Sequence, residues 1–153
     1  MAMKVSLIKW ELTSMPMPAE YQRAAIEFEK FLLDAREASG LITTNQTYTM
    51  VQGVLQTFRR RLTLPEAIHF AGVLPPVLRA IFVANWDTSE PRRSFADRIE
   101  MTQEVQGLRA DHNFAPEIAI QAVAVALRKN IDEAKLDNVL SRLPAPAHDF
   151  WCP

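Results

Sequence analysis

Residues 116–131, PEIAIQAVAVALRKNI, decide the fold: apolar residues run almost unbroken from Ile118 to Leu127 before Arg128 and Lys129 close the run. A segment with so little polar surface belongs inside a protein. It falls short of the roughly 20 apolar residues needed to cross a bilayer, so it reads as a buried central helix of a soluble domain. Its β-branched residues Ile118, Ile120, Val123 and Val125 would also suit a strand. By itself the stretch leaves that choice open.

An earlier copy of the same pattern closes it. At a constant shift of 69, Gln52, Val54, Arg59, Leu74 and Pro75 fall on Gln121, Val123, Arg128, Leu143 and Pro144, and Val51, Phe58, Leu62 and Phe82 fall on Ile120, Leu127, Ile131 and Trp151. Upstream the shift is 67, with Phe28, Leu32, Glu37 and Gly40 falling on Phe95, Ile99, Glu104 and Gly107. The two extra residues belong to the loop 109–115, where insertion costs least. Residues 50–59 have helical spacing and length, so the matching residues 118–127 are expected to be helical too. The two central helices, 47–61 and 116–130, are expected to pack on each other, because the second needs apolar cover on nearly every side.

Local signals divide the rest of the chain. Residues 1–18 form an arm and hinge, in which Val5, Leu7, Ile8, Trp10 and Leu12 lie close together before the S-M-P-M-P run of residues 14–18 blocks helix. From Ala19 a helical stripe of Tyr21, Ala24, Phe28, Phe31, Leu32 and Ala35 runs to Gly40, a helix-ending glycine. Thr43 or Thr44 starts a second helix. Thr63, Pro65 and Glu66 make a capping-box start for a third over residues 64–74, and Pro75 and Pro76 open a fourth over about 77–86. The polar segment 87–93 is a connector. The expected architecture is all-α, a bundle of about eight helices in one compact domain, 19–153, built from two pseudo-symmetric four-helix halves at about 19–86 and 94–153.

Composition bounds the function classes. At 153 residues the chain can bury one sizeable core, and 48% hydrophobic with 23% charged residues is ordinary for a globular domain. A formal charge of -1 provides no field to draw nucleic acid or anionic membrane, and neither partner is expected. Cys152 has no second cysteine to bond, and Lys9 and Glu11 interrupt any signal-peptide core, so a reducing, cytoplasmic setting is expected.

The stretch LPEAIHFAGVLPPVLRAIFVANW at residues 64–86, echoed by LPAPAHDFW at 143–151, resembles the bacterial domain-of-unknown-function 2267 family. The resemblance runs from about Ala19 to the C-terminus and leaves the arm outside. It implies an all-helical protein and supplies no catalytic residue.

Each candidate site has a plainer structural reading. Arg59, Arg60 and Arg61 form a dense basic run, yet their counterparts Arg128, Lys129 and Asn130 also end a helix, where positive charge is favoured. No aromatic residue interleaves the run to stack a base. Glu66 and His69 have the Glu-x-x-His spacing of di-iron bundles, but the counterparts Lys135 and Asn138 cannot complete such a site. No metal or cofactor is expected, and a partly buried His69 bonded to a carbonyl is the simpler reading. His112 beside Asp111, and His148 beside Asp149, have no nucleophile the spacing places next to them.

No catalytic constellation emerges, so a non-enzymatic interaction or scaffold module is expected. Trp10, Val83, Trp86 and Trp151 are its candidate partner surface, for an unidentified protein partner or for a homo-oligomer joined through the arm, although the plainer reading of Trp86 and Trp151, with Phe82 and Phe150, is that they cap the core at its two ends. The competing expectation is a small-molecule binder or enzyme with a pocket between the halves, lined by Glu66, His69, Asn138 or His148.

Overall fold

The computed structural model describes residues 17–153; among them are nine α-helices and no strand. The helix expected after residue 19 is interrupted at Arg23, giving a short α1, Ala19–Gln22, and a long α2, Ala24–Ser39. Gly40 ends α2 with φ of 76°, a left-handed geometry that a Cβ would oppose. Then α3, Thr44–Arg59, starts with a reciprocal cap. Thr43 Oγ1 accepts from the Gln46 amide at 3.1 Å, and Gln46 Oε1 accepts from the Thr43 amide at 3.3 Å.

The expected box at Thr63 and Glu66 opens α4, Leu64–Ala71, and Pro75 precedes α5, Pro76–Val83. Asn85, with φ of 54°, turns the chain, and no helix forms again before Asp97 caps α6, Arg98–Gly107, by accepting from the Glu100 amide at 2.8 Å. A 3-10 turn, Ala110–His112, occupies the loop in which the two extra residues were placed. The chain closes with α7, Ala119–Asn130, α8, Glu133–Leu140, and α9, Ala145–Phe150.

Of the expected residues 118–127, 119–127 are helix, as the earlier copy predicts, and Ala119, Ile120, Ala122, Val123, Ala124, Ala126 and Leu127 are buried, whereas Ile118 stands before the helix as its N-cap and is 47% exposed. The alanines explain why β-branching does not win. Each Val or Ile costs a few tenths of a kcal/mol of helix propensity, about 0.5, and alternate positions hold the residue that costs nothing. They also keep the helix surface low, so a neighbour can lie close.

That neighbour is not the one expected. The most extensive helix pairing is α2 with α7, and the next is α3 with α6; α3 and α7 touch over a much smaller area. Each half thus lends its first helix to the central helix of the other half. Two central rods alone could cover only one side of each other, while the apolar stripe of α2 and that of α6 both need a partner. The exchange satisfies all four helices at once.

Depth also departs from greasiness. The more polar copy is the more enclosed, since every residue of α3 from Thr49 to Arg59 is buried, Gln52, Gln56 and Thr57 included. At the α3–α6 crossing, a Cβ on Gly53 would stand 2.9 Å from the Val105 carbonyl oxygen, so the two backbones meet only because residue 53 has no side chain.

The two halves share one aromatic core. The Phe58 ring lies 4.8 Å from Phe70, 5.0 Å from Phe150 and 5.3 Å from Trp151, and Phe70 lies 5.2 Å from Phe82, all five being fully buried. Edge and tilted pairs of this kind contribute about 0.5–1.5 kcal/mol each beyond area burial. Among the described residues no helix is long and apolar enough to cross a membrane.

Candidate functional site

The basic run is largely consumed by the fold. Arg59 is 5% exposed; its Nη1 donates to the Phe82 carbonyl at 2.9 Å and the Ala84 carbonyl at 3.0 Å, closing the C-terminal end of α5. Its guanidinium lies 5.2 Å from the centre of the Trp86 ring. Burial, and then the charge of Arg60, pull Arg59 below the ordinary arginine value, with Glu90 opposing them. Arg61, 4% exposed, donates from Nη1 to the Thr57 carbonyl and to Glu104 Oε2, both at 2.7 Å.

Glu104 gathers the remaining cations. Arg93 bonds its other oxygen, and Arg60 approaches to 3.8 Å. Burial alone would raise the Glu104 carboxyl, but the hydrogen bonds and charges of Arg61 and Arg93 outweigh it and hold the carboxyl below its ordinary range. No sequence pattern announced this pairing across 43 residues of chain.

The Glu66–His69 pair divides. Glu66 Oε2 accepts from the Thr63 amide at 2.8 Å as the helix cap, whereas His69 is exposed, which corrects the expectation of a partly buried imidazole held by a carbonyl. Among the described residues no three His, Cys, Asp or Glu side chains gather as metal ligands would. His112 with Asp111, His148 with Asp149, Asn138 and Cys152 are all exposed on separate elements. A cleft of about 240 Å³ does lie between the halves, but Glu27, Arg79, Asn130, Asp132 and Lys135 line it, not Glu66, His69, Asn138 or His148. Its Asp132 is already committed as the cap of α8, accepting from the Lys135 amide at 3.2 Å.

The candidate aromatic surface also divides. Trp151 is fully buried against Phe58 and Phe70 and so contributes to the core, not to a surface. Trp10 lies outside the described residues. Val83 and Trp86 remain, and they form one feature. An open groove of about 490 Å³ runs between α4 and α5, floored by Ala67, Ala71 and Gly72 and walled by Ile68, Val83 and Trp86, with Arg79 at one end. On its far side Trp86 also walls a cleft of about 400 Å³ that holds Leu64, Arg59, Arg60, Glu90 and Arg92.

Leu64 and Ile68, four residues apart and on one face of α4, are 49% and 63% exposed. Neither was singled out by sequence reasoning, although a signal was present. At the shift of 69, Leu64 falls on Glu133, Ile68 on Asp137 and Val83 on Cys152. In α8 the Asp137 carboxylate bonds Arg128 at 3.0 Å, and Arg128 Nε donates to the Trp151 carbonyl at 2.8 Å, as Arg59 donates to Phe82. At the sequence position 69 residues on, α8 thus carries a charged residue where α4 carries an exposed Ile68.

Residues 28–150 match the family described as "Uncharacterized conserved protein (DUF2267)". The chain belongs to the DUF2267 family. The match spans α2 from Phe28 through α9, so the groove, Trp86 and, save for Trp151, the aromatic core fall within the DUF2267 region, while the arm and α1 precede it. No curated protein matches the chain.

Proposed function

We propose that this DUF2267 protein is a non-enzymatic helical interaction module of the bacterial cytoplasm, and that the α4–α5 groove receives an apolar peptide segment carrying an aromatic or aliphatic anchor. One observation carries the reading: Leu64, Ile68 and Val83 are exposed apolar residues at positions where the other half has Glu133, Asp137 and Cys152. The architecture tolerates charge there, so packing gives no reason for the apolar choice. A low floor of Ala67, Ala71 and Gly72 between Ile68, Val83 and Trp86 has the form of a pocket for a side chain, and a tryptophan rim is common where binding energy concentrates.

Panning a random peptide library on the full chain tests it. Enriched peptides should carry apolar anchors, and Ile68→Asp or Trp86→Ala should weaken them about tenfold or more, since a tenfold change corresponds to about 1.4 kcal/mol. Failure to enrich such peptides on both the wild-type chain and a full-length Leu7→Asp/Trp10→Asp chain, or binding indifferent to both groove substitutions, rejects the reading. Saturable binding of small polar metabolites at the inter-half cleft would favour a small-molecule protein instead.

The same comparison supports a duplicated origin. α4 and α8 start 69 residues apart with equal lengths, α5 and α9 start 69 apart, and Arg59 and Arg128 bond carbonyls that are themselves 69 apart. The ancestral unit is then a four-helix half whose first helix was always supplied by a partner.

A further inference from the structure

We propose that the groove is filled by the chain's own N-terminal arm, residues 4–12, docked within the same molecule. This rests on reading the groove as a peptide site and names its resident occupant. The described chain begins at Met17, and α1 follows at once; Glu20 Oε2 lies 3.8 Å from Arg79 Nη2. Arg79 lines the groove, held there because its Nε donates to the Ala71 carbonyl at 3.1 Å and its Nη2 to the Leu74 carbonyl at 3.0 Å. Gly72 and Arg79 line both the groove and the cleft that Glu20 also lines, so the two adjoin. The described chain thus begins three residues before Glu20, whose carboxylate reaches a side chain that lines the groove.

Reach and chemistry agree with that position. An extended chain covers roughly 3.3–3.6 Å per residue, so Trp10, seven residues before Met17, comes within about 23 Å of it. α5, which forms one wall, is eight residues long, or about 12 Å. A fully extended arm is therefore long enough to span the groove. It carries Val5, Leu7, Ile8, Trp10 and Leu12, the apolar anchors that a floor of alanine and glycine between Ile68, Val83 and Trp86 accommodates. Tethering decides between the chain's own arm and that of a second copy. A short linker gives an effective concentration on the order of millimolar, so intramolecular docking prevails until the protein itself approaches that concentration. A partner peptide would then compete with the arm for the groove.

The test uses full-length chains that differ only in the arm. In Leu7→Asp/Trp10→Asp, the NMR signals of the Ile68 and Val83 amides and the Trp86 indole should shift relative to wild type, while those of the buried Trp151 stay in place. A groove-binding peptide selected by panning should bind this variant about tenfold tighter, because occupancy no longer lowers the competent fraction. Identical groove signals in the two chains overturn the inference. Shifts that depend on concentration, together with a dimeric mass by sedimentation, overturn it in favour of exchange between copies. Peptide binding of equal strength in both chains sinks the arm and leaves the peptide site standing; if no peptide binds either chain, the peptide site fails and the NMR comparison still decides the arm.

Discussion

Gly53 and Glu104 show how single residues hold distant segments together. Replacing Gly53 with alanine would add about 1 kcal/mol of helix propensity to α3, but its Cβ would press on the Val105 carbonyl oxygen, a backbone atom that cannot swing away. The backbone clash prevails, and Gly53→Ala should lose about 1–3 kcal/mol of stability, read as a lower urea midpoint. Glu104→Gln should cost about 3 kcal/mol, because the buried Arg61 then keeps its charge without the compensating carboxylate. The pH dependence follows from the direction of the Glu104 shift. A carboxyl held below its ordinary value in the folded state contributes stability in full above the unfolded value, about 4.3, and loses it as pH falls through the folded value. Urea midpoints measured from neutral pH down to about 3 should thus fall more steeply for wild type than for the Gln variant in the acid range. Parallel profiles would show that the Glu104 cluster does not set acid stability.

The two faces of α4 separate what the fold needs from what it tolerates. Ala67, Phe70 and Ala71 point into the core, whereas Leu64 and Ile68 point out. A Leu64→Glu/Ile68→Asp chain copies the acidic face of α8 and should stay within about 0.5 kcal/mol of wild type in urea denaturation while losing the groove's peptide binding. A large loss of stability would mean that these side chains support the fold instead. Element type was legible because it depends on local rules: the caps at Thr63 and Glu66, the stop at Gly40, and the helical reading of residues 119–127 by analogy with an earlier copy all appear as read. Which helix covers which was not legible, because an apolar stripe states that it needs a partner and not which partner. That is why α2 beside α7 is not legible in the sequence, and why Trp151, an aromatic at the end of a half, suits both a core cap and a partner surface until its burial decides for the core. The exposed pair Leu64 and Ile68 could have been found by asking where the copies disagree in polarity and not only where they agree.

At the level of the whole molecule, the exchange of first helices makes each half incomplete. A fragment of residues 19–86 lacks the α7 surface that α2 covers and the α6 backbone that lies against Gly53. Expressed alone it should show little helix by circular dichroism and no sharp urea transition, whereas the full chain should unfold in one step. A fragment that melts cooperatively would contradict the interlocked description. The interlock also has a temporal side. During synthesis α2 leaves the ribosome some 80 residues ahead of the start of α7, from Ser39 to Ala119, which at about 5–20 residues per second is a wait of roughly 4–16 s. Through that interval α2 lacks its most extensive partner, so a nascent chain paused before residue 119 is where holding chaperones should engage this protein, and where slow codons would be most harmful.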